Sequence, residues 1–114
     1  MKFFPLHVHS HYSLLDGLSK PMDIAERCEE LGVEGSALTD HGTIAGAVAF
    51  TQAMKKKNKK AILGCEFYIC KEDPTKKENR ELSHLVVLAK NKKGWLNLVS
   101  ATSLSNSPEY FYYK

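Results

Sequence analysis

The order of strand-like and helix-like segments limits the folds open to this chain more than any other feature of its sequence. Apolar, β-favouring runs cover about 3–9, 35–39, 61–69 and 84–89, and segments with helical spacing cover about 21–31, 44–57 and 92–103. Helices that alternate with strands imply parallel strands joined by right-handed crossovers. The sequence therefore predicts an α/β fold, in which ligands gather at the carboxyl ends of the strands.

The length and composition are those of a single domain. The chain has 114 residues, of which 43% are apolar and 25% charged. We expect no membrane span, because no apolar run is long enough, and we expect no secretory signal from the residues at the amino terminus. Its three cysteines are odd in number and lack a C-x-x-C spacing, which favours a reduced, cytoplasmic setting. We expect one domain over 1–114, with a charged loop at about 71–80 and an aromatic terminal segment at 105–114.

His7 and His9 are the first candidates for a metal site. Residues two apart on a strand point to the same face, so the two imidazoles should converge near the end of the first predicted strand. Further ligand-type residues follow later strands: Asp16, Asp40, His41, Glu66 and His84. Imidazoles and carboxylates without thiolate favour Zn²⁺ or Mn²⁺, with Mg²⁺ or Fe also compatible, in a hydrolytic site that holds several metals.

Several of these residues also allow a simpler interpretation. Asp16 before Gly17 could be a turn aspartate, and His84 could be a histidine of the core. We expect Asp40 to fix its loop or to orient His41, as carboxylates behind metal ligands do, in preference to binding metal itself. Glu66 favours metal most clearly, because an unpaired carboxylate in an apolar strand is costly.

The net charge of +3 is concentrated in a run of lysines at Lys55, Lys56, Lys57, Lys59 and Lys60. These side chains could contact phosphates of a nucleic acid. The simpler interpretation is a solvated helix end, where lysines interact favourably with the helix dipole and no aromatic residues are interleaved for base stacking.

Five stretches of the chain form a recognisable set: LHVHS (6–10), YSLLDG (12–17), ALTDHG (37–42), GCE (64–66) and HLVVLA (84–89). In order and spacing, this set resembles the N-terminal polymerase-and-histidinol-phosphatase (PHP) domain of bacterial DNA polymerase III alpha subunits. The resemblance implies a distorted β/α barrel of seven strands with a multinuclear metal site at the strand ends. It also implies the ligand set His7, His9, Asp16, His41, Glu66 and His84, with His7, His9 and Glu66 acting in catalysis through the metals; His11 does not fall at a ligand position of the family.

The resemblance implies phosphoesterase or 3′–5′ exonuclease activity, with DNA and the rest of a polymerase alpha subunit as partners. The family's domain is about twice the length of this chain, and its later metal motifs have no counterpart here. We therefore interpret the chain as the first half of a PHP barrel, which a complementary chain or self-association could complete. Two alternatives stay open: a non-catalytic structural or interaction module of a polymerase, and a small free-standing phosphoesterase.

Overall fold

The computed structural model describes residues 2–71, 73, 75–76 and 82–110. Within these residues the elements are α1 (Pro21–Glu30), β1 (Gly35–Leu38), α2 (Ala47–Lys56), β2 (Lys60–Cys70), β3 (Leu82–Leu88) and α3 (Lys92–Ser105). The strands form a three-stranded sheet in the order β1-β2-β3. The predicted mixed α/β class is confirmed, whereas the described residues do not test a closed barrel.

The direction of β3 corrects the prediction of parallel strands throughout. β1 pairs with β2 in parallel, from Gly35 opposite Lys60 to Leu38 opposite Leu63. β3 instead runs antiparallel to β2, with Tyr68 opposite His84. The connection 71–81 lies at the lower limit of the length that a parallel crossover with its helix requires, which favours a reversal of chain direction.

The first predicted strand is an extended segment that lies beside β1 without forming a regular ladder. Ala37 donates to the Pro5 carbonyl (2.8 Å) and Thr39 donates to the Val8 carbonyl (2.8 Å). Pro5 has no N–H to return, and the Val8 N–H donates to the Thr39 hydroxyl at 2.9 Å. The segment still holds His7 and His9 at the end of the sheet where β1 finishes.

The helices start and stop where local chemistry dictates. Pro21 opens α1, and the Lys20 N–H donates to the Asp23 carboxylate (2.7 Å). The chain leaves α1 through Gly32, whose φ of 63° is the left-handed conformation that glycine adopts at little cost. Asn91 caps α3 by accepting the Gly94 N–H at 3.0 Å.

The core lies between α1, α2 and β1. It is built from buried apolar side chains of these elements and their connections: Ile24, Ala25, Cys28, Val33, Leu38, Phe50, Ala53 and Met54. α3 contributes much less, since only Leu98 and Thr102 of this helix are buried. Among the helices of the described residues, none has the length and apolar character needed to cross a membrane. Residues 72, 74 and 77–80 of the expected charged loop, and 111–114 of the expected aromatic segment, lie outside the described residues.

Candidate metal centre

All six residues predicted as ligands meet at one end of the sheet. His7 and His9 come from the extended first segment, Asp16 from the following loop, His41 from the loop after β1, Glu66 from β2 and His84 from β3. His84 reaches this end because β3 is antiparallel: the beginning of β3 lies against the carboxyl-terminal part of β2. The prediction of a parallel β3 was wrong, but His84 still lies at the predicted end of the sheet.

Glu66 lies at the centre of the cluster. Its Oε2 atom is 2.7 Å from His7 Nε2, 2.6 Å from His9 Nε2 and 3.6 Å from His41 Nδ1. Its other oxygen, Oε1, lies 3.9 Å from His84 Nδ1. One nearly buried carboxylate thus faces imidazoles from four separate positions of the chain.

Asp16 closes the cluster on the opposite side of His9. Its Oδ2 atom lies 2.5 Å from His9 Nδ1 and 3.1 Å from His41 Nε2. Both ring nitrogens of His9 therefore face carboxylate oxygens. Cations between such atoms, whether protons or metal ions, stabilise this arrangement.

The ligand atoms fall into three overlapping groups, each with its atoms within 4.8 Å of one another. The groups are His7–His9–Glu66, His9–Asp16–His41 and His41–Glu66–His84. Every pair of groups shares one residue, so neighbouring metals could share ligands. Such sharing is the arrangement of sites in which several ions lie about 4 Å apart.

Two observations fit a metal at this position. The Nδ1 atom of His41 is buried and has no hydrogen-bond partner among the described residues, which is a costly state for a polar atom unless something else satisfies it. Nitrogen and oxygen donors are also the set that Zn²⁺, Mn²⁺ and Fe accept in hydrolytic sites. Burial raises the pKa of the adjacent Cys65 thiol to about 11, so this sulfur stays protonated at neutral pH.

The electrostatics of Glu66 favour its anionic form. Burial alone raises the pKa of this carboxyl, but hydrogen bonds from His7 and His9, together with the charge of nearby imidazoles, lower it further than burial raises it. The resulting pKa lies below the ordinary value for glutamate. Glu66 is therefore ionised at neutral pH, as a ligand carboxylate must be.

Asp40 lies outside the three ligand groups and stabilises the loops that carry them. The side chain is 1% exposed. Its carboxylate accepts hydrogen bonds from the Ser10 N–H (2.6 Å), the Ser10 hydroxyl (2.9 Å) and the Ser13 hydroxyl (2.8 Å). Ser13 in turn accepts the His41 N–H at 3.1 Å. Asp40 thus connects the loop after His9 to the backbone of His41 through Ser13.

Tyr68 is a neighbour of the cluster that the sequence prediction missed. Its ring stacks on the His41 ring, with centroids 5.6 Å apart and planes 18° apart, and meets the edge of His84 at 5.0 Å. Burial and the nearby carboxylates of Glu66 and Asp16 raise the pKa of the Tyr68 phenol, which keeps it protonated. Its position two residues after Glu66 on the same strand face was the available signal.

The lysine run divides into engaged and free side chains. Lys57 pairs with Glu29 (2.8 Å), Lys59 donates to the Val33 carbonyl (2.9 Å), and Lys60 lies 3.7 Å from Glu34. Lys55 and Lys56 are exposed at the end of α2 and form no ion pair among the described residues. The structure therefore leaves these two as the candidates within the run for contact with phosphates.

Comparison with known families identifies the class of protein to which this chain belongs. The model of the PHP domain family matches residues 5–114, and the chain belongs to this family. Its curated relatives include DNA polymerase III subunit alpha of Borreliella burgdorferi, 43% identical over 117 residues, and that of Treponema pallidum, 42% identical over 118 residues. The same subunit of Helicobacter pylori is 40% identical over 112 residues.

These alignments cover 97–100% of this chain but only 9–10% of each relative. The chain therefore spans about a tenth of the length of the curated relatives it matches. Among solved structures, a protein described as a candidate metal-dependent phosphoesterase from Bifidobacterium adolescentis superposes with a TM-score of 0.68 at 24% identity. That match covers 93% of this chain and 34% of the other. An amidohydrolase from Chromobacterium violaceum superposes with a TM-score of 0.62, also at 24% identity, over 85% of this chain and 32% of the other. Both likenesses concern the fold.

Proposed function

We propose that this chain supplies the ligands of a divalent-metal cluster that hydrolyses phosphodiester bonds in a DNA polymerase III alpha-type protein. The observation that carries the proposal is the set of three overlapping ligand groups, built from His7, His9, Asp16, His41, Glu66 and His84. The PHP family match and the identity to polymerase alpha subunits support the choice of DNA as the substrate. The reaction type we propose is 3′–5′ exonucleolytic cleavage.

The donor set limits the metals that this centre would hold. Four imidazoles and two carboxylates suit Zn²⁺ or Mn²⁺ best, and Mg²⁺ or Fe would meet the same oxygens and nitrogens. When bound, such ions make water a nucleophile at neutral pH and stabilise charge on the phosphate oxygens. The chain's own part is to hold the ligand atoms in place and to shape the access to them.

The exposure of the ligands indicates where a substrate would approach. The side chains of His7, Asp16 and His84 are about half exposed, at 55%, 53% and 49%. Those of His9, His41 and Glu66 are mostly covered, at 19%, 20% and 5%. The first three would border the entrance of the metal centre, and the second three would form its floor. The end of a DNA strand would then approach from the side of His7, Asp16 and His84.

Hydrolysis of a labelled oligonucleotide in the presence of Mn²⁺ or Zn²⁺ tests the proposal. The double variant His9→Ala/Glu66→Ala removes a residue from every ligand group. We expect its rate to fall by more than about 100-fold, since the loss of residues that merely support metal ligands already costs 10–100-fold. Glu66→Gln, which keeps the shape of the side chain and removes its charge, should lower the rate in the same direction.

Glu34→Gln is the matched control for Glu66→Gln, because it neutralises an exposed glutamate whose carboxylate lies outside the ligand groups and 3.7 Å from Lys60. Its rate should equal that of the wild type, and circular dichroism of every variant reports whether it folds. Wild-type hydrolysis that a chelator leaves unchanged, or a folded Glu66→Gln variant with the wild-type rate, would refute the assignment.

A second candidate function is supported by a different region. An apolar cleft of about 820 Å³ lies between α3 and the strands β2 and β3, with Phe67, Ile69, Val87 and Leu104 among its lining residues. The 61% exposure of Leu104 fits a surface that other polypeptide covers. Under this second interpretation, the chain is a structural module that packs against the remainder of a polymerase or against a second copy of itself. A monodisperse, protease-resistant monomer in sizing experiments would count against it.

A further inference from the structure

A groove of about 430 Å³ runs between the loop after His9 and the facing sides of α1 and α2. The side chains that give it chemical character are His11, Tyr12, Lys20, Gln52 and Lys56. None of these residues belongs to the ligand groups of the metal centre. The volume falls within the range of small-ligand sites.

The charge of the groove favours an anion. Lys20 and Lys56 are exposed and form no ion pair among the described residues, and no acidic side chain lines the described walls. Asp23, the acidic residue of the first turn of α1, already accepts the Lys20 N–H. Lys20, at the N-cap of α1, and Lys56, the last residue of α2, therefore line one shared space without an ion-pair partner among the described residues. Phosphate is an anion that lysines bind readily.

The remaining wall offers aromatic and amide groups. The rings of His11 and Tyr12 meet edge to face with centroids 4.6 Å apart. The Tyr12 ring lies close against Gly46, where an added Cβ would come within 2.8 Å of Tyr12 Cδ2. This contact fixes the ring against the start of α2. Aromatic rings and imidazoles are surfaces on which nucleobases stack, and the Gln52 amide can donate to or accept from a base.

The position of the groove links it to the metal centre. His11 is two residues after His9, and consecutive Cα atoms are 3.8 Å apart, so their Cα atoms lie within about 7.6 Å of one another. The backbone between them is held in place, because both the Ser10 N–H and the Ser10 hydroxyl donate to Asp40. A single DNA strand with one phosphate at the metal centre can therefore place a neighbouring nucleotide in the groove.

We propose that the groove lined by His11, Tyr12, Lys20, Gln52 and Lys56 binds the single-stranded DNA segment next to the cleaved phosphodiester. Lys20 and Lys56 contact its phosphates, and the rings of His11 and Tyr12 contact a base. The inference rests on the proposed function for its choice of ligand. It assigns substrate binding to residues that the metal-ligand pattern does not include.

Fluorescence anisotropy of a labelled short oligothymidylate, titrated with the full chain in metal-free buffer, tests the groove without hydrolysis. Lys20→Ala/Lys56→Ala should weaken binding by roughly tenfold and lower the slope of log K against log salt by about 1.4, since each phosphate contact on a single strand contributes about 0.7. His11→Ala should weaken binding by about fivefold or more through lost stacking.

The matched control is Lys92→Ala/Lys93→Ala, which removes the same charge from the exposed first turn of α3. It should change affinity and salt slope much less than the groove variant. Equal losses in the two double variants, or no binding by the wild type, would overturn the proposal. Metal content and turnover of the wild type decide the proposed function separately, so either inference can fail while the other stands.

Discussion

At the end of the sheet where β1 finishes, buried polar side chains meet, and nearly all of their atoms have partners within this chain. The carboxylates of Glu66 and Asp40, residues that are 4% and 1% exposed, together accept from or face groups at six other positions. Beside α3 the reverse holds: an apolar cleft of about 820 Å³ stays open, and α3 buries only two residues. The difference indicates that residues of this chain position the polar side chains against one another, whereas the described residues leave the apolar face beside α3 largely uncovered.

The same substitution in the two regions should give opposite effects. A Cβ at Gly17, in the loop below the metal centre, would lie 1.9 Å from the Ser10 carbonyl oxygen, so Gly17→Ala must displace the backbone. We expect it to lower the free energy of unfolding by about 3 kcal/mol or more. A Cβ at Gly94 in α3 would meet Ala89 no closer than 3.4 Å, and Gly94→Ala should raise it by about 0.5 kcal/mol.

Urea denaturation of both glycine variants measures these changes. Equal destabilisation by the two substitutions would contradict the contrast between a tightly packed centre and a loosely packed α3.

Asp40→Asn should produce the next largest effect. An asparagine amide would turn an NH₂ group toward donors that now reach a carboxylate, the Ser10 N–H and the two serine hydroxyls. We expect a loss of about 2 kcal/mol in the free energy of unfolding and a metal affinity lowered by about 10–100-fold. Chemical denaturation and isothermal titration with Zn²⁺ check the two values.

Asp73→Asn is the matched control for Asp40→Asn, because Asp73 is exposed and its carboxylate accepts hydrogen bonds from the N–H and hydroxyl of Thr75 in a local turn. It should change stability by less than about 0.5 kcal/mol. If the two asparagine variants behave alike, Asp40 does not organise the loop in the way that its hydrogen bonds indicate.

Replacing Tyr68 should have the smallest effect on folding and a selective effect on metal binding. Tyr68→Leu removes the ring contacts to His41 and His84, each of which is of a kind worth about 0.5–1.5 kcal/mol. We expect weaker binding at the group His41–Glu66–His84, seen as fewer metals per chain. Tyr68→Phe keeps the ring and should keep the wild-type count; the same count in Tyr68→Leu would show that the ring does not position these imidazoles.

Much of the fold and the convergence of the six residues could be predicted because both follow from local patterns. One strand-like run, 35–39, ends just before His41, and Glu66 stands out as a carboxylate in an apolar strand. The rule that ligands gather at the carboxyl ends of strands then places them together. His84 reached the right place although its strand runs in the opposite direction, because β3 begins where β2 ends.

The errors and omissions have physical causes too. The direction of β3 depends on the connection 71–81. Its Asp73-Pro74 pair favours a turn, but a turn alone does not decide whether the chain reverses, and the alternation of helices and strands elsewhere favoured parallel pairing. The segment 3–9 has strand propensity, but Pro5 and the Thr39 hydroxyl remove the hydrogen bonds that a ladder needs. Tyr68 was missed because an aromatic residue in an apolar strand is normally a core residue. The role of the six residues as ligands stays a prediction.

Metal content per chain tests the central claim most directly. Wild type and His9→Ala/Glu66→Ala are purified without chelator, passed over the same sizing column and measured by mass spectrometry for bound metal. The account predicts one or more tightly held divalent metals per wild-type chain and none in the double variant. A folded wild type that carries no more metal than the double variant would contradict it.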